Sequence, residues 1–159
     1  MIEVQVLGPD DWQLWRKLRL EALTESASAF SSTLAQWTGL GDTEERWRAR
    51  LSTVPMNVVL RLCGAPAGMV SASVRTDGAV ELISMWVTPS ARGRGVGDAA
   101  VRTVAKWADR REVVLSVKAD NEPAIGLYQR HGFVDAGRSP DDVNERLMRL
   151  LQPHRPRHT

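Results

Sequence analysis

The chain has 159 residues, 43% hydrophobic and 25% charged, with a formal net charge of +2, a composition that excludes disorder as the default reading and suits one globular core. Its 21 basic residues are 18 Arg and three Lys (Lys17, Lys106 and Lys118), interleaved with 19 acidic ones, so no basic run offers a nucleic-acid footprint. Cys63 is the only cysteine, which rules out an intrachain disulfide and fits a reducing compartment.

Residues 2–7 alternate in polarity and predict a strand, broken by Gly8-Pro9-Asp10. Trp12, Trp15, Leu18, Leu20 and Leu23 then recur at helical spacing. Residues 26–41, rich in Ser, Thr, Gly and Ala, read as an irregular connection with a short helix around 34–37. Asp42-Thr43-Glu44-Glu45 opens a second helix that runs through Trp47 to Leu51. Strands follow at 57–62 and 68–75, joined by a hairpin turn at 63–66, and Asp77-Gly78 turns the chain into a third at 79–87. A helix over about 95–110 presents Val96, Ala100, Val101, Val104, Ala105 and Ala108 on one face. A strand at 113–117, a helix at 122–131 ended by Gly132, and strands at 133–137 and 146–151 complete the order β-α-α-β-β-β-α-β-α-β-β. The fold class is α/β (α+β) with a mixed, mainly antiparallel sheet. Residues 1–151 are expected to form a single domain and 152–159 a mobile tail.

No apolar stretch approaches the ~20 residues that span a bilayer, and the N-terminus lacks the basic-then-apolar pattern of a signal peptide. Of the three histidines, His131, His154 and His158, two lie in the tail, with no metal-ligand spacing. The expectation is a cytoplasmic protein with no metal, no nucleic-acid partner and no membrane partner.

The chemistry concentrates in ELISMWVTPSARGRGVG, from Glu81 to Gly97. A strand delivers the chain to a turn with Gly93, Gly95 and Gly97 at alternate positions, and a helix begins there. Unpaired N–H groups and the helix dipole make such a terminus a phosphate site, and Arg92 and Arg94 add positive charge. A Walker loop needs Gly-Lys-Ser/Thr after its last glycine, but Asp98 follows Gly97. The dinucleotide fingerprint started at Gly93 needs glycine where Asp98 stands, and belongs after the first strand of a βαβ unit.

The stretch resembles the acyl-CoA-binding motif of the GNAT superfamily of N-acetyltransferases, Gln/Arg-x-x-Gly-x-Gly/Ala, in Arg92, Gly95 and Gly97, with the lead-in Val87-Thr88-Pro89. A second family pattern follows in Asn121, Ala124, Leu127, Tyr128, Gly132 and Phe133. The resemblance implies acetyl-CoA as acyl donor and an amine as acceptor, a small molecule or a peptide, with direct transfer in a ternary complex. Homodimers are common in that family. The amides of Gly93 and of Val96, Gly97 and Asp98 would hold the pyrophosphate. The main chain of Met85 and Val87 would pair with the pantetheine arm as an added strand does. Trp86, Arg92, Arg94, Asn121, Ala124 and Tyr128 complete the expected cofactor-binding set.

Tyr128, the only tyrosine, occupies the family's general-acid position; taken alone it would read as a packing residue beside Ala124 and Leu127. Glu81 is the candidate base, on the strand before the motif. Strand alternation places it with Ile83, Met85 and Val87, a partly desolvated carboxylate on an apolar face, and Ser84 on the other. An exposed carboxylate at the strand start is the equal alternative, and many family members use ordered water instead. Asn121 also suits a helix cap. Trp12, Trp15 and Trp47 read as core or groove-lining residues, Phe30, Ser31 and Trp37 as a wall of the acceptor site, and Asp141, Asp142 and Glu145 as a solvated turn or an attractor for a cationic acceptor. A non-catalytic acyl-CoA-binding regulatory module is the alternative to an enzyme, and O-acyl transfer a more remote one.

Overall fold

The computed structural model describes residues 1–27 and 33–152. Seven strands, β1 (Ile2–Val6), β2 (Met56–Leu62), β3 (Ala65–Val74), β4 (Val80–Val87), β5 (Val113–Lys118), β6 (Val134–Arg138) and β7 (Glu145–Leu150), form one sheet of order β1-β2-β3-β4-β5-β7-β6. Every neighbouring pair is antiparallel except β4 and β5. Four α-helices, α1 (Trp12–Glu25), α2 (Glu44–Thr53), α3 (Val96–Ala108) and α4 (Glu122–Arg130), interleave with them in the expected order. Short 3-10 turns lie at Pro9–Asp11, Leu34–Trp37, Gly39–Gly41 and Pro89–Ala91. Residues 28–32, which include Phe30 and Ser31, and residues 153–159 lie outside the described residues.

The central strands are buried on both sides, which is why β2 reads as the continuous apolar run Val58-Val59-Leu60. On one side Val58, Leu60, Val70, Val80 and Leu82 pack against Val96, Ala100, Val101 and Val104 of α3, with Tyr128 and Phe133 beside them. On the other side Val59, Met69 and Trp86 meet Trp15, Leu18 and Ala22 of α1 and Trp47 and Leu51 of α2. Each large apolar side chain buried in this way contributes ~1.5–3 kcal/mol relative to exposure. The sequence sets the helix starts: the Asp11 carboxylate accepts from the Gly8 amide at 2.8 Å, and Thr43 Oγ1 accepts from the Arg46 amide at 3.2 Å.

Two expectations need correcting. β3 begins at Ala65 rather than 68, and the turn before it contracts to Cys63-Gly64, both at positive φ (51° and 83°). Pro66 is accommodated because it faces Arg61 where the β2–β3 register shifts. Gln152 donates from Nε2 to the Ala105 carbonyl at 2.9 Å.

Candidate active site

β4 and β5 run parallel but pair only at Val80–Val113 and Glu81–Val114. Beyond Glu81 the two strands part, and a cleft of about 900 Å³ opens between them and continues to both faces of the sheet. Its α3–α4 side is lined by the glycine loop, Asn121, Ala124, Leu127 and Tyr128, and its α1–α2 side by Trp15, Arg19, Trp47, Arg50 and Ser84. Glu81, Met85, Trp86 and Val87 line the strand between them.

The loop after β4 has the expected geometry, for reasons that differ among its glycines. Gly93 and Gly95 lie at φ 75° and 87°, a left-handed conformation that side chains resist, and Gly95 is the N-cap of α3. Gly97 is needed for packing: a Cβ there would lie 3.1 Å from Leu127 Cδ2 and 3.4 Å from Met85 Cε. The first helical bond runs from the Ala99 amide to the Gly95 carbonyl at 3.0 Å. Among the described residues the amides of Gly93 through Asp98 make no well-formed hydrogen bond to the protein, so donors gather at a helix N-terminus. The Asp98 carboxylate does not face this cluster unopposed. His131 Nε2 lies 2.8 Å and Arg130 Nη2 3.6 Å from it, and the His131 hydrogen bond, then the Arg130 charge, hold its pKa below the usual carboxylate range. Neither His131 nor Arg130 was singled out by the sequence motifs.

Arg92 is tied down within the protein. Its Nε donates to the Val87 carbonyl at 3.2 Å and its Nη2 to Glu25 Oε2 at 2.8 Å, the same oxygen that accepts from Trp86 Nε1 at 2.8 Å and from Ser26. These donors, Arg92 first, pull the Glu25 pKa to about 2. Glu25 therefore fastens the end of α1 to β4 and to the glycine loop. Asn121 caps α4, its Oδ1 accepting from the Ala124 amide at 3.4 Å. Tyr128 is buried, its ring centroid 5.7 Å from that of Phe133 and its hydroxyl 3.6 Å from Met85 Sδ. Burial pushes its pKa up, so the hydroxyl holds its proton at neutral pH.

Strand alternation fails at one position of β4. Ser84 has φ 55°, and the β3–β4 register shifts so that Met69 faces Trp86 while Ser71 faces Ile83. This bulge inserts one residue and exchanges the faces. Met85 and Val87 pack toward α3. Ser84 and Trp86 face α1 and α2, with Ser84 Oγ accepting from Arg50 Nη2 at 3.2 Å. Glu81 and Ile83, which alternate with the core residues Val80 and Leu82, lie on that side as well. Glu81 thus shares its face with Ser84 and not, as expected, with Met85 and Val87.

The sequence reading missed two arginines on this side. Arg19 is 7% exposed, and burial, then the neighbouring Arg50 charge, lowers its pKa to about 10; burial does the same to Arg50. Their signal was available. Arg19 stands four residues after Trp15, and Arg50 three after Trp47, each within the buried stripe of its helix. In the last turn, Asp142 and Glu145 are held by Lys118 Nζ at 2.9 and 3.2 Å, which opposes a role as attractors of a cationic acceptor. Trp37 stacks on Trp47 with ring centroids 4.4 Å apart.

No helix among the described residues is long and apolar enough to cross a membrane. The model of the acetyltransferase (GNAT) family matches residues 13–133. The peptidyl-lysine N-acetyltransferase YjaB of Escherichia coli is 29% identical over 99 residues, which are 62% of this chain and 63% of that protein. The chain spans between 17% and 63% of the length of the curated relatives it matches. Among solved structures, yncA of Salmonella typhimurium, with its cofactor acetyl-CoA, superposes with TM-score 0.75 at 19% identity, covering 100% of this chain and 98% of that one. The spermidine N-acetyltransferase of Vibrio cholerae, with CoA and spermine, gives TM-score 0.77 at 16% identity, covering 95% of each chain.

Proposed function

The chain belongs to the GNAT acetyltransferase family, and from that premise we propose that it transfers the acetyl group of acetyl-CoA to an amine by direct attack in a ternary complex. The observation that carries this reading is the parting of β4 and β5 after Glu81. It opens one cleft that holds unsatisfied loop amides and Tyr128 on one side of the sheet and a separate walled space on the other.

The amides of Gly93 and of Val96, Gly97 and Asp98, at the positive end of α3, suit the CoA pyrophosphate. Met85 and Val87 supply main-chain partners for the pantetheine arm along the free edge of β4, with Trp86 between them. Asn121 and Ala124 flank the same path, and Arg94 adds charge at the loop. Acetyl-CoA, as donor substrate, supplies the activated acetyl group.

Two proton movements remain for the protein. An alkyl amine of pKa ~10 must lose a proton before it attacks. Glu81, on the α1–α2 side, takes it directly or through water. The departing thiolate gains from a proton, and Tyr128, kept protonated by burial, is the donor. The Tyr128 hydroxyl lies against the sulfur of Met85 on β4, which supports its reach to a thioester held along that strand. The test is thiol release from acetyl-CoA over a panel of amines, with the mass of each acceptor followed in parallel. Acceptor-dependent release with a gain of one acetyl group supports the reading. Acetyl-CoA that neither binds nor reacts contradicts it.

A further inference from the structure

On the α1–α2 side of the cleft, Arg50 carries a charge that its bonded partners do not neutralise. Arg50 bonds three neutral oxygens, Asn57 Oδ1 at 2.8 Å, Ser84 Oγ at 3.2 Å and Ser71 Oγ at 3.3 Å, and pairs with no carboxylate among the described residues. Its guanidinium carbon lies 5.2 Å from the centroid of the Trp15 ring. Trp15 is fully buried, lines the cleft, and its indole N–H has no acceptor among the described residues. The Arg19 charge adds to that of Arg50 in the same space. Glu81, which lines the cleft from β4, makes no ion pair with Arg50.

Burying positive charge against neutral partners is costly unless an anion completes the site. The Asn57, Ser71 and Ser84 oxygens take three of the five guanidinium N–H groups of Arg50, and a carboxylate accepts from the remaining ones and from an indole N–H. A polycationic amine would meet repulsion there. Resting on the transfer reading above, we propose that the acceptor is a small amine that also bears a carboxylate, and that this carboxylate docks on Arg50 with Arg19 and the Trp15 N–H beside it. The amine then lies toward Glu81 and the parting of the strands. Arg50 is a binding residue for the acceptor and sets its class.

The experiment compares matched acceptors on the wild-type protein: free amino acids, their carboxamides, the corresponding decarboxylated amines, and spermidine as polycation. Acetylation rates are read by thiol release and acceptor binding by calorimetry with CoA present. The expected result is a kcat/KM for the acids roughly 10- to 100-fold above that for the amides, the range for losing a hydrogen bond to a charged group. Arg50→Gln should erase most of that preference by raising KM for the acid, and Arg50→Lys should restore part of it, with acetyl-CoA affinity unchanged in both. Amides, decarboxylated amines or spermidine used as well as the acids would overturn the proposal. So would failure of every acid to bind or react while acetyl-CoA still binds. Loss of acetyl-CoA binding itself would instead strike the transfer reading. The wild-type comparison decides the matter even if an Arg50 variant fails to fold.

Discussion

The two sides of the cleft are made of different materials. The α3–α4 side is a backbone site, in which two glycines at positive φ aim a run of amides from the start of a helix, and a third lets α3 pack closely on Leu127 and Met85. The α1–α2 side is a side-chain site, with Trp15, Trp47, Arg19 and Arg50 projecting from two helices onto β4. A backbone site tolerates change in its surroundings but not in its glycines. A side-chain site can be retuned by single substitutions while the sheet beneath it stays put. Under the proposed transfer, the first side takes the donor and the second the acceptor.

Substitutions confined to one side of the cleft test this contrast. The largest effect is expected for Tyr128→Phe, which keeps the buried ring against Phe133 and removes only the hydroxyl. Its kcat for acetyl transfer should fall about 100-fold or more, with acetyl-CoA affinity nearly unchanged. An equal loss of affinity would make Tyr128 a packing residue. Next is Gly95→Val, which forces a β-branched residue to φ 87° at the cap of α3. It should cost about 1–3 kcal/mol and weaken acetyl-CoA binding, read by thermal shift, while acceptor preference stays constant.

A smaller effect is expected on the other side from Asp42→Asn. Asp42 accepts from Arg16 Nε and Nη2 at 2.7 and 2.5 Å and from Trp47 Nε1 at 2.8 Å, and these bonds, Arg16 first, hold its pKa at about 2. The loss should be on the order of 1 kcal/mol, since the pair is partly exposed to solvent. Because the folded pKa is depressed, this stabilisation is full above the unfolded value near ~3.9 and fades as pH falls toward 2. The gap in melting temperature between wild type and variant should therefore close over that window. The smallest effect is Glu25→Gln, ~1 kcal/mol or less for a surface pair. Its interest lies in coupling: by loosening Arg92 and Trp86 together it should raise KM for both substrates, whereas a purely structural contact would move only the melting temperature.

This difference in material also explains what could be read beforehand. The element order, the glycine loop and the place of Tyr128 were legible because glycine patterns and helix starts report backbone demands locally. The arginines were not, since an amphipathic stripe is read for its apolar members and Arg19 and Arg50 sit inside the stripe as charges. The β4 faces were misjudged for another reason. Nothing in Ile83-Ser84-Met85 announces a bulge, and one serine at φ 55° is enough to move Glu81 to the opposite side from Met85. The separate role of Gly97 depends on Leu127, thirty positions away in sequence, and became visible only once α3 and α4 were packed.

Direct transfer requires that both substrates occupy the cleft at once and that the acetyl group pass between them. Initial rates measured over a grid of acetyl-CoA and acceptor concentrations test it. Double-reciprocal plots that intersect are the predicted result; parallel lines, with a covalently acetylated protein isolated in the absence of acceptor, would contradict it.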